Sequence, residues 1–285
     1  MADFLHEIVA RELGSAITAA RPLSGGCIGE VSRLDLADGR RVVAKVDRGG
    51  RPRLDIEGYM LRYLREHSAL PVPEVLWSEP KVLLMTFEPG DSHFSARGQA
   101  HAAELLAALH SVAAPACGLE RDTLIGGLHQ PNPLTPSWVE FFREHRLLHM
   151  ARLTHREGHL PAALLSRIER FAGDLETFIA EPPHPSLLHG DVWTTNVLAE
   201  NHRITAFLDP AVYYGHPEVE LAFTTLFGTF GPAFFEAYNA IRPIEAGFFE
   251  VRRDLYNLYP LLVHVRLFGP SYLSGVTAAI ARHGY

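Results

Sequence analysis

Leu187-Leu188-His189-Gly190-Asp191-Val192-Trp193-Thr194-Thr195-Asn196-Val197-Leu198 holds an Asp and an Asn five positions apart on a polar turn between two apolar runs. The stretch Arg203-Ile204-Thr205-Ala206-Phe207-Leu208 that follows is β-branched and aromatic, which predicts a short strand. That strand returns Asp209 to the turn, so three oxygen-bearing side chains, Asp191, Asn196 and Asp209, are expected to converge. Each residue alone is also ordinary turn chemistry, since Gly, Asp, Asn and Pro fill turns for backbone reasons. The joint pattern carries the argument. A zinc set of His189, Asp191 and His216 is disfavoured, because no Cys or closely spaced His completes a ligand set.

Three such groups suit phosphoryl transfer. One carboxylate accepts a hydroxyl proton, while a carboxamide and a second carboxylate are hard oxygen ligands for Mg²⁺ on nucleotide phosphates. Kinases with an H-x-D-x-x-x-x-N loop and a later metal-binding Asp use this order and spacing. Here Gly190 stands where protein kinases carry Arg, and Pro210 follows Asp209 in place of Phe-Gly. Both departures point toward small-molecule kinases.

Upstream, Phe4, Leu5, Ile8, Val9 and Leu13 recur at helical spacing. Residues 17–23 and 30–36 read as strands around Ser24-Gly25-Gly26-Cys27-Ile28-Gly29, a glycine-rich turn whose N–H groups can approach a phosphate. A structural hairpin is the alternative for that turn. Cys27 within it is either a redox-sensitive thiolate, favoured by nearby N–H groups, or a buried inert cysteine. After the Asp38-Gly39 turn, Val42-Val43-Ala44-Lys45-Val46 reads as a buried strand carrying one Lys, the candidate phosphate clamp. Ile56, Met60, Leu61 and Leu64 mark a helix on which Glu57 is placed to pair with Lys45, the alternative being a solvated helix charge. Residues 81–87 read as another strand, and Thr86-Phe87-Glu88 running into Pro89-Gly90 reads as a hinge.

Beyond the hinge the pattern turns helical. Leu105, Leu106 and Leu109 predict one helix, with His110 expected as a satisfied core histidine. Residues 122–136 read as loop, and Ser137 with Glu140 reads as a capping box for the helix of Trp138, Phe141 and Phe142. A helix is expected over 161–180 and an aromatic loop over 211–217. Helices near 217–228, 232–241, 247–268 and 271–283 complete the chain.

The net charge of -7, from 33 acidic against 26 basic residues without a basic block, argues against nucleic-acid binding. Apolar runs broken by His, Pro or charge argue against a membrane span, and an acidic amino terminus argues against a signal peptide. Two cysteines, Cys27 and Cys117, do not make a disulfide framework, so a reducing, cytoplasmic setting is expected.

The glycine-rich turn, Lys45, Glu57, the His189-Gly190-Asp191 loop and Asp209 stand in kinase order, and the chain resembles the aminoglycoside phosphotransferase and choline kinase superfamily. More closely it resembles the fructosamine-3-kinase (ketosamine kinase) family, which shares Gly25-Gly26-Cys27-Ile28, the run His189 to Asn196, Asp209-Pro210-Ala211-Val212-Tyr213-Tyr214-Gly215-His216, and the Trp-Val-Glu-Phe-Phe run at 138–142. The resemblance implies an α+β, bilobal protein-kinase-like fold, with a small β-rich N-lobe (1–87) and a larger, mainly helical C-lobe (88–285). It implies ATP- and Mg²⁺-dependent phosphorylation of a sugar hydroxyl on a ketoamine or glycated amine or protein. Asp191 is then the base, Asn196 and Asp209 the metal ligands, and Gly25, Gly26, Lys45 and Glu57 the phosphate side. Thr86, Phe87 and Glu88 are expected to meet adenine through backbone groups. Trp193, Tyr214 and His216 are expected on the substrate side, with packing as the alternative for each. His189 is expected to orient the loop. An aminoglycoside or choline-like phosphotransferase and a non-catalytic nucleotide-binding module are the competing readings, and monomer and Cys27-linked dimer both stay open.

Overall fold

The structure, a computed structural model, describes residues 2–23 and 29–285. Helix α1 (Ala2–Leu13) lies on a five-stranded antiparallel sheet of β1 (Ile17–Pro22), β2 (Glu30–Leu36), β3 (Arg41–Val46), β4 (Val75–Glu79) and β5 (Val82–Thr86), in the order β1-β2-β3-β5-β4. Between β3 and β4 the chain forms α2 (Leu54–His67). Side chains alternate across a strand, so successive residues of β3 serve opposite faces. Val42 and Ala44 join Ile8, Val9, Val82 and Leu84 under α1, whereas Val43 joins Leu83, Met85, Met60 and Leu61 on the α2 side. Lys45 shares the parity of Val43, which directs a lone ammonium toward α2. Strand β4 has no counterpart in the sequence reading, because the flanking prolines Pro71, Pro73 and Pro80 read as turn punctuation and hide an edge strand.

The rest is mainly helical. Helix α3 (Ala96–Leu109) is capped by Ser95, whose hydroxyl accepts from Gly98 N at 3.2 Å. Residues 122–136, expected as loop, contain a small hairpin, β6 (Thr123–Ile125) and β7 (Leu128–Gln130). Helix α4 (Trp138–Phe142) runs through a π turn at Arg143–Leu148 into α5 (His149–Arg156). Only half of the expected capping box forms. Ser137 accepts from Glu140 N at 3.1 Å, but the carboxylate that receives Trp138 N and Val139 N belongs to Glu181, at 2.5 and 3.2 Å.

Helix α6 (Ala162–Gly173) is shorter than its apolar period suggested. Strands β8 (Ser186–Leu188), β9 (Val197–Glu200), β10 (Arg203–Phe207) and β11 (Tyr213–Gly215) follow, with β9 paired to β10 and β8 to β11. The aromatic stretch expected as loop is therefore partly strand, and three residues are too few for periodicity to reveal one. Helices α7 (Pro217–Leu226), α8 (Pro232–Ile241), α9 (Arg253–Tyr256), α10 (Leu258–Phe268) and α11 (Leu273–Arg282) complete the helical lobe, and a π turn at Phe248–Arg252 leads into α9. Trp138, Phe141, Phe142, Phe171 and Tyr256 are fully buried at its centre. Among the described residues no helix is long and apolar enough to cross a membrane.

Candidate active site

Two loops build the site. One joins β8 to β9 and carries Asp191 and Asn196; the other follows β10 and carries Asp209. Backbone bonds clamp them together, Leu208 N to Asn196 O at 2.8 Å and Ala211 N to His189 O at 2.7 Å. This closeness accounts for Gly190. At φ +86, a Cβ there would lie 2.1 Å from Ala211 O, so neither Arg nor any other L side chain fits without moving the loop. Asp209 itself has φ 52, a left-handed conformation that Asp tolerates better than most residues and that is frequent at functional sites.

Asn196 spends both amide hydrogens on Asp191, donating to its backbone O at 3.0 Å and to Oδ2 at 2.9 Å. Burial raises Asp191 well above the usual carboxylate range and the charge of Asp209 adds to it, with the Asn196 hydrogen bond opposing. Lys45 Nζ donates to Glu57 Oε1 at 2.6 Å and makes a short contact with Asp209 Oδ1. Burial alone would lower the Lys45 pKa, but the carboxylates of Asp209 and Glu57 outweigh it and hold the ammonium charged. A strand of one lobe, a helix of the same lobe and a loop of the other thus meet at a single nitrogen.

These groups line a cavity of about 260 Å³, walled also by Met60 from α2, Leu124, Ile125 and Gly126 from the β6–β7 hairpin, Trp193 and Thr195 from the loop, and Val263, His264, Leu267 and Phe268 from α10. A larger hollow of about 510 Å³ lies between α1 and the opposite face of the sheet, so chemistry rather than volume distinguishes the site. Trp193 packs at 5.4 Å from the Phe227 ring and 6.1 Å from His264. The hairpin is bound to the Asp209 loop from behind: Gln130 Nε2 donates to Ala211 O at 3.0 Å, and the Thr123 hydroxyl donates to Val212 O at 3.1 Å.

Not every expected residue reaches this cavity. Tyr214 and His216, expected on the substrate side, do not line this cavity. Pairing of β11 with β8 sets Tyr214 against Tyr63 of α2 and turns His216 into the helical lobe. His216 caps α7, its Nδ1 accepting from Glu218 N at 3.1 Å, and its ring stands 6.1 Å from Trp138 and 5.9 Å from Tyr256. Tyr214 is buried, with its hydroxyl 3.3 Å from that of Tyr63. Thr86, Phe87 and Glu88 lie beyond the cavity wall at the end of β5, where the Thr86 hydroxyl donates to Glu88 Oε1 at 2.6 Å. Gly25, Gly26 and Cys27 lie outside the described residues.

The sequence places Glu220 near the Asp209 loop but, after Pro217, reads it as a first-turn helix acid with no further task. Its carboxylate, 2% exposed, accepts Gly190 N at 2.5 Å and His189 N at 3.4 Å, and lies 2.9 Å from His110 Nε2. His110 Nδ1 in turn lies 2.7 Å from the Tyr238 hydroxyl, so both ring nitrogens are partnered in the core. Burial alone would raise Glu220, but the hydrogen bonds from His110 and Gly190 outweigh it and hold its pKa below the ordinary range. An acid in the first turn of a helix is the default there, so no pattern singled Glu220 out. Burial lowers the His189 pKa, which favours a neutral ring that positions the loop.

A buried Lys–Glu pair, a clamped pair of loops and an Asp–Asn–Asp group on a cleft between a β-rich and a helical lobe define a kinase of protein-kinase-like fold. The chain belongs to the fructosamine kinase family, whose model matches residues 1–283. It is 33% identical over 267 residues to a probable ketoamine kinase of Vibrio parahaemolyticus, covering 90% of this chain and 89% of that one. It is 31% identical over 285 residues to the chloroplastic protein-ribulosamine 3-kinase of Arabidopsis thaliana, covering 96% and 85% of the two chains. A solved structure from Thermobifida fusca that carries the fructosamine-3-kinase name superposes with a TM-score of 0.88 at 28% identity, covering 98% of this chain and 97% of that one.

Proposed function

We propose that this protein transfers the γ-phosphoryl group of ATP to a sugar hydroxyl of a ketoamine of the ribulosamine or fructosamine type, on a small amine or a glycated protein, in deglycation. The observation that carries the reading is the convergence of Asp191, Asn196, Asp209 and the Lys45–Glu57 pair on one cleft in a member of this family. The lobes divide at residues 87 and 88, with Thr86 to Glu88 beside adenine, and the compartment is the cytoplasm.

The donor set fits Mg²⁺. With both amide hydrogens of Asn196 given to Asp191, its amide oxygen, which accepts only a long bond from the Thr195 hydroxyl at 3.4 Å, keeps a lone pair for a hard cation, and Asp209 keeps one carboxylate oxygen beyond its contact with Lys45. Bound there, the cation supplies charge neutralisation on the phosphates. Lys45, held by Glu57, binds phosphate oxygens. Asp191 takes the proton of the sugar hydroxyl as that oxygen attacks the γ-phosphorus and ADP departs. Asn196 orients Asp191 for this task, and Trp193 forms part of the acceptor wall.

A polycationic aminoglycoside calls for spare carboxylates. Glu57, Asp191 and Asp209 are engaged in the machinery, while Glu218 is paired with Arg252 at 2.6 Å and Glu220 is turned into the core. The test is a coupled ATPase assay against ketoamines, kanamycin and choline. Ketoamine turnover above the other two is expected, because a site built to bond sugar hydroxyls rejects ligands that leave those groups unpaired. Kanamycin turnover exceeding that of every ketoamine would overturn the substrate assignment and leave the kinase standing.

A further inference from the structure

Helix α2 carries Glu57, yet nothing in the phosphate clamp explains how the helix is fixed against the helical lobe. Its own lobe holds one side. A Cβ on Gly58 would lie 2.6 Å from Ser78 Cβ, so only glycine allows this approach of α2 to β4, and Arg62 Nη1 donates to Ser78 Oγ at 2.9 Å. These contacts tie the helix to the sheet of its own lobe. A different side, one turn apart at positions 59 and 63, meets the other lobe. The Tyr59 hydroxyl makes a short hydrogen bond to Glu120 Oε1, and the Arg121 guanidinium lies 4.5 Å from the Tyr59 ring centre. Tyr63 meets Tyr214 edge-on, with ring centres 6.4 Å apart and hydroxyls 3.3 Å apart, and stacks on His67 at 4.0 Å.

The receiving groups form one platform. Gly118 and Tyr214 exchange both backbone hydrogen bonds at 2.9 Å, joining the segment of Glu120 and Arg121 to β11. That strand is anchored in turn beside the catalytic loop through β8.

We propose that Tyr59 and Tyr63, received by Glu120, Arg121 and Tyr214, are positioning residues that latch the two lobes and thereby set Glu57 and Lys45 at the angle phosphoryl transfer requires. This also gives Tyr214 a task that its absence from the cavity wall left open. The inference rests on the reading of Lys45 and Glu57 as the phosphate clamp. Because the latch fixes the nucleotide side against the acceptor side, its loss acts on ATP kinetics and leaves the acceptor wall of Trp193 and α10 in place.

The experiment compares kcat, KM for ATP and KM for a ketoamine in Tyr59→Phe/Tyr63→Phe, Glu120→Leu, Glu120→Gln and Lys45→Met, with melting temperature measured alongside. The double tyrosine variant should lose about 3- to 10-fold in kcat/KM for ATP, the scale of one or two net hydrogen bonds, with KM for the ketoamine unchanged. Glu120→Leu should show the same selective loss. Glu120→Gln keeps an acceptor for Tyr59 and should stay within about twofold of the native enzyme. ATP kinetics unaltered in the tyrosine variant and in Glu120→Leu, with turnover abolished in Lys45→Met, would overturn the latch alone. A parallel rise in both KM values would overturn it too, since that reports general loosening. Native activity in Lys45→Met would remove the clamp reading and the latch with it. Should the double tyrosine variant fail to fold, the exposed Glu120 pair decides.

Discussion

Asp191 and Asp209 are carboxylates on one cleft, and their neighbours give them different work. Asp191 is held by the Asn196 amide, whereas Asp209 contacts the Lys45 ammonium, and both line the same cavity. Asp191→Asn should therefore lower kcat by ~10²–10⁴ while ATP affinity stays near native, measured by steady-state kinetics and calorimetry. Near-normal turnover would remove Asp191 from its role. Asp209→Asn removes a charged oxygen ligand and should instead shift the Mg²⁺ dependence of ATP binding to higher metal concentration, read from a Mg²⁺ titration of both variants. The sequence spacing already named these two residues, since neighbours on one loop and the next strand end must meet. Glu220 was not legible, because its work lies in hydrogen bonds to Gly190 N and His189 N from a helix thirty residues further on.

Elements decide which face of a residue is used, and His216 is the clearest case. It stands between β11 and α7, with its ring against Trp138 and Tyr256 and its Nδ1 capping the helix. His216→Ala should cost about 1 kcal/mol of stability, the scale of a lost N-cap, with KM for the ketoamine unaltered. Denaturant unfolding and acceptor kinetics check this together, and a selective rise in that KM at native stability would restore the substrate-side role. The aromatic run 211–217 was readable as a motif but not as a strand, because its pairing partner β8 lies more than twenty residues upstream. The capping box forms only in half for a related reason. Local sequence offered Glu140 for the cap, but the carboxylate that receives the first N–H groups of α4 is Glu181, which arrives from the segment after α6.

At the scale of the molecule, the cleft lies between lobes that meet at Lys45, with Glu57 from one side and Asp209 from the other. A ligand that bridges them binds only the folded, assembled pair. Mg²⁺ and ATP together at about 100 times their dissociation constant should add roughly 2.7 kcal/mol, or about 5 °C in Tm, and either alone should add much less. Equal shifts with and without Mg²⁺ in a thermal denaturation series would argue against the Asn196–Asp209 cation site. The sequence by itself determined the elements that bear the kinase-type residues, and the two-lobed fold followed from the family resemblance. A buried Lys-bearing strand, an Asp-x-x-x-x-Asn turn and a following strand with Asp209 are local patterns, and local backbone geometry suffices to fix them. Only the tertiary structure decided which aromatic and acidic residues face the cleft: His264 and Phe268 line it, His216 packs into the helical lobe, Tyr214 meets Tyr63 of α2, and Glu220 holds the loop at Gly190. The physical reason is that side-chain orientation at a strand end or helix start is set by pairing and packing partners distant in sequence, and neither periodicity nor composition carries that information.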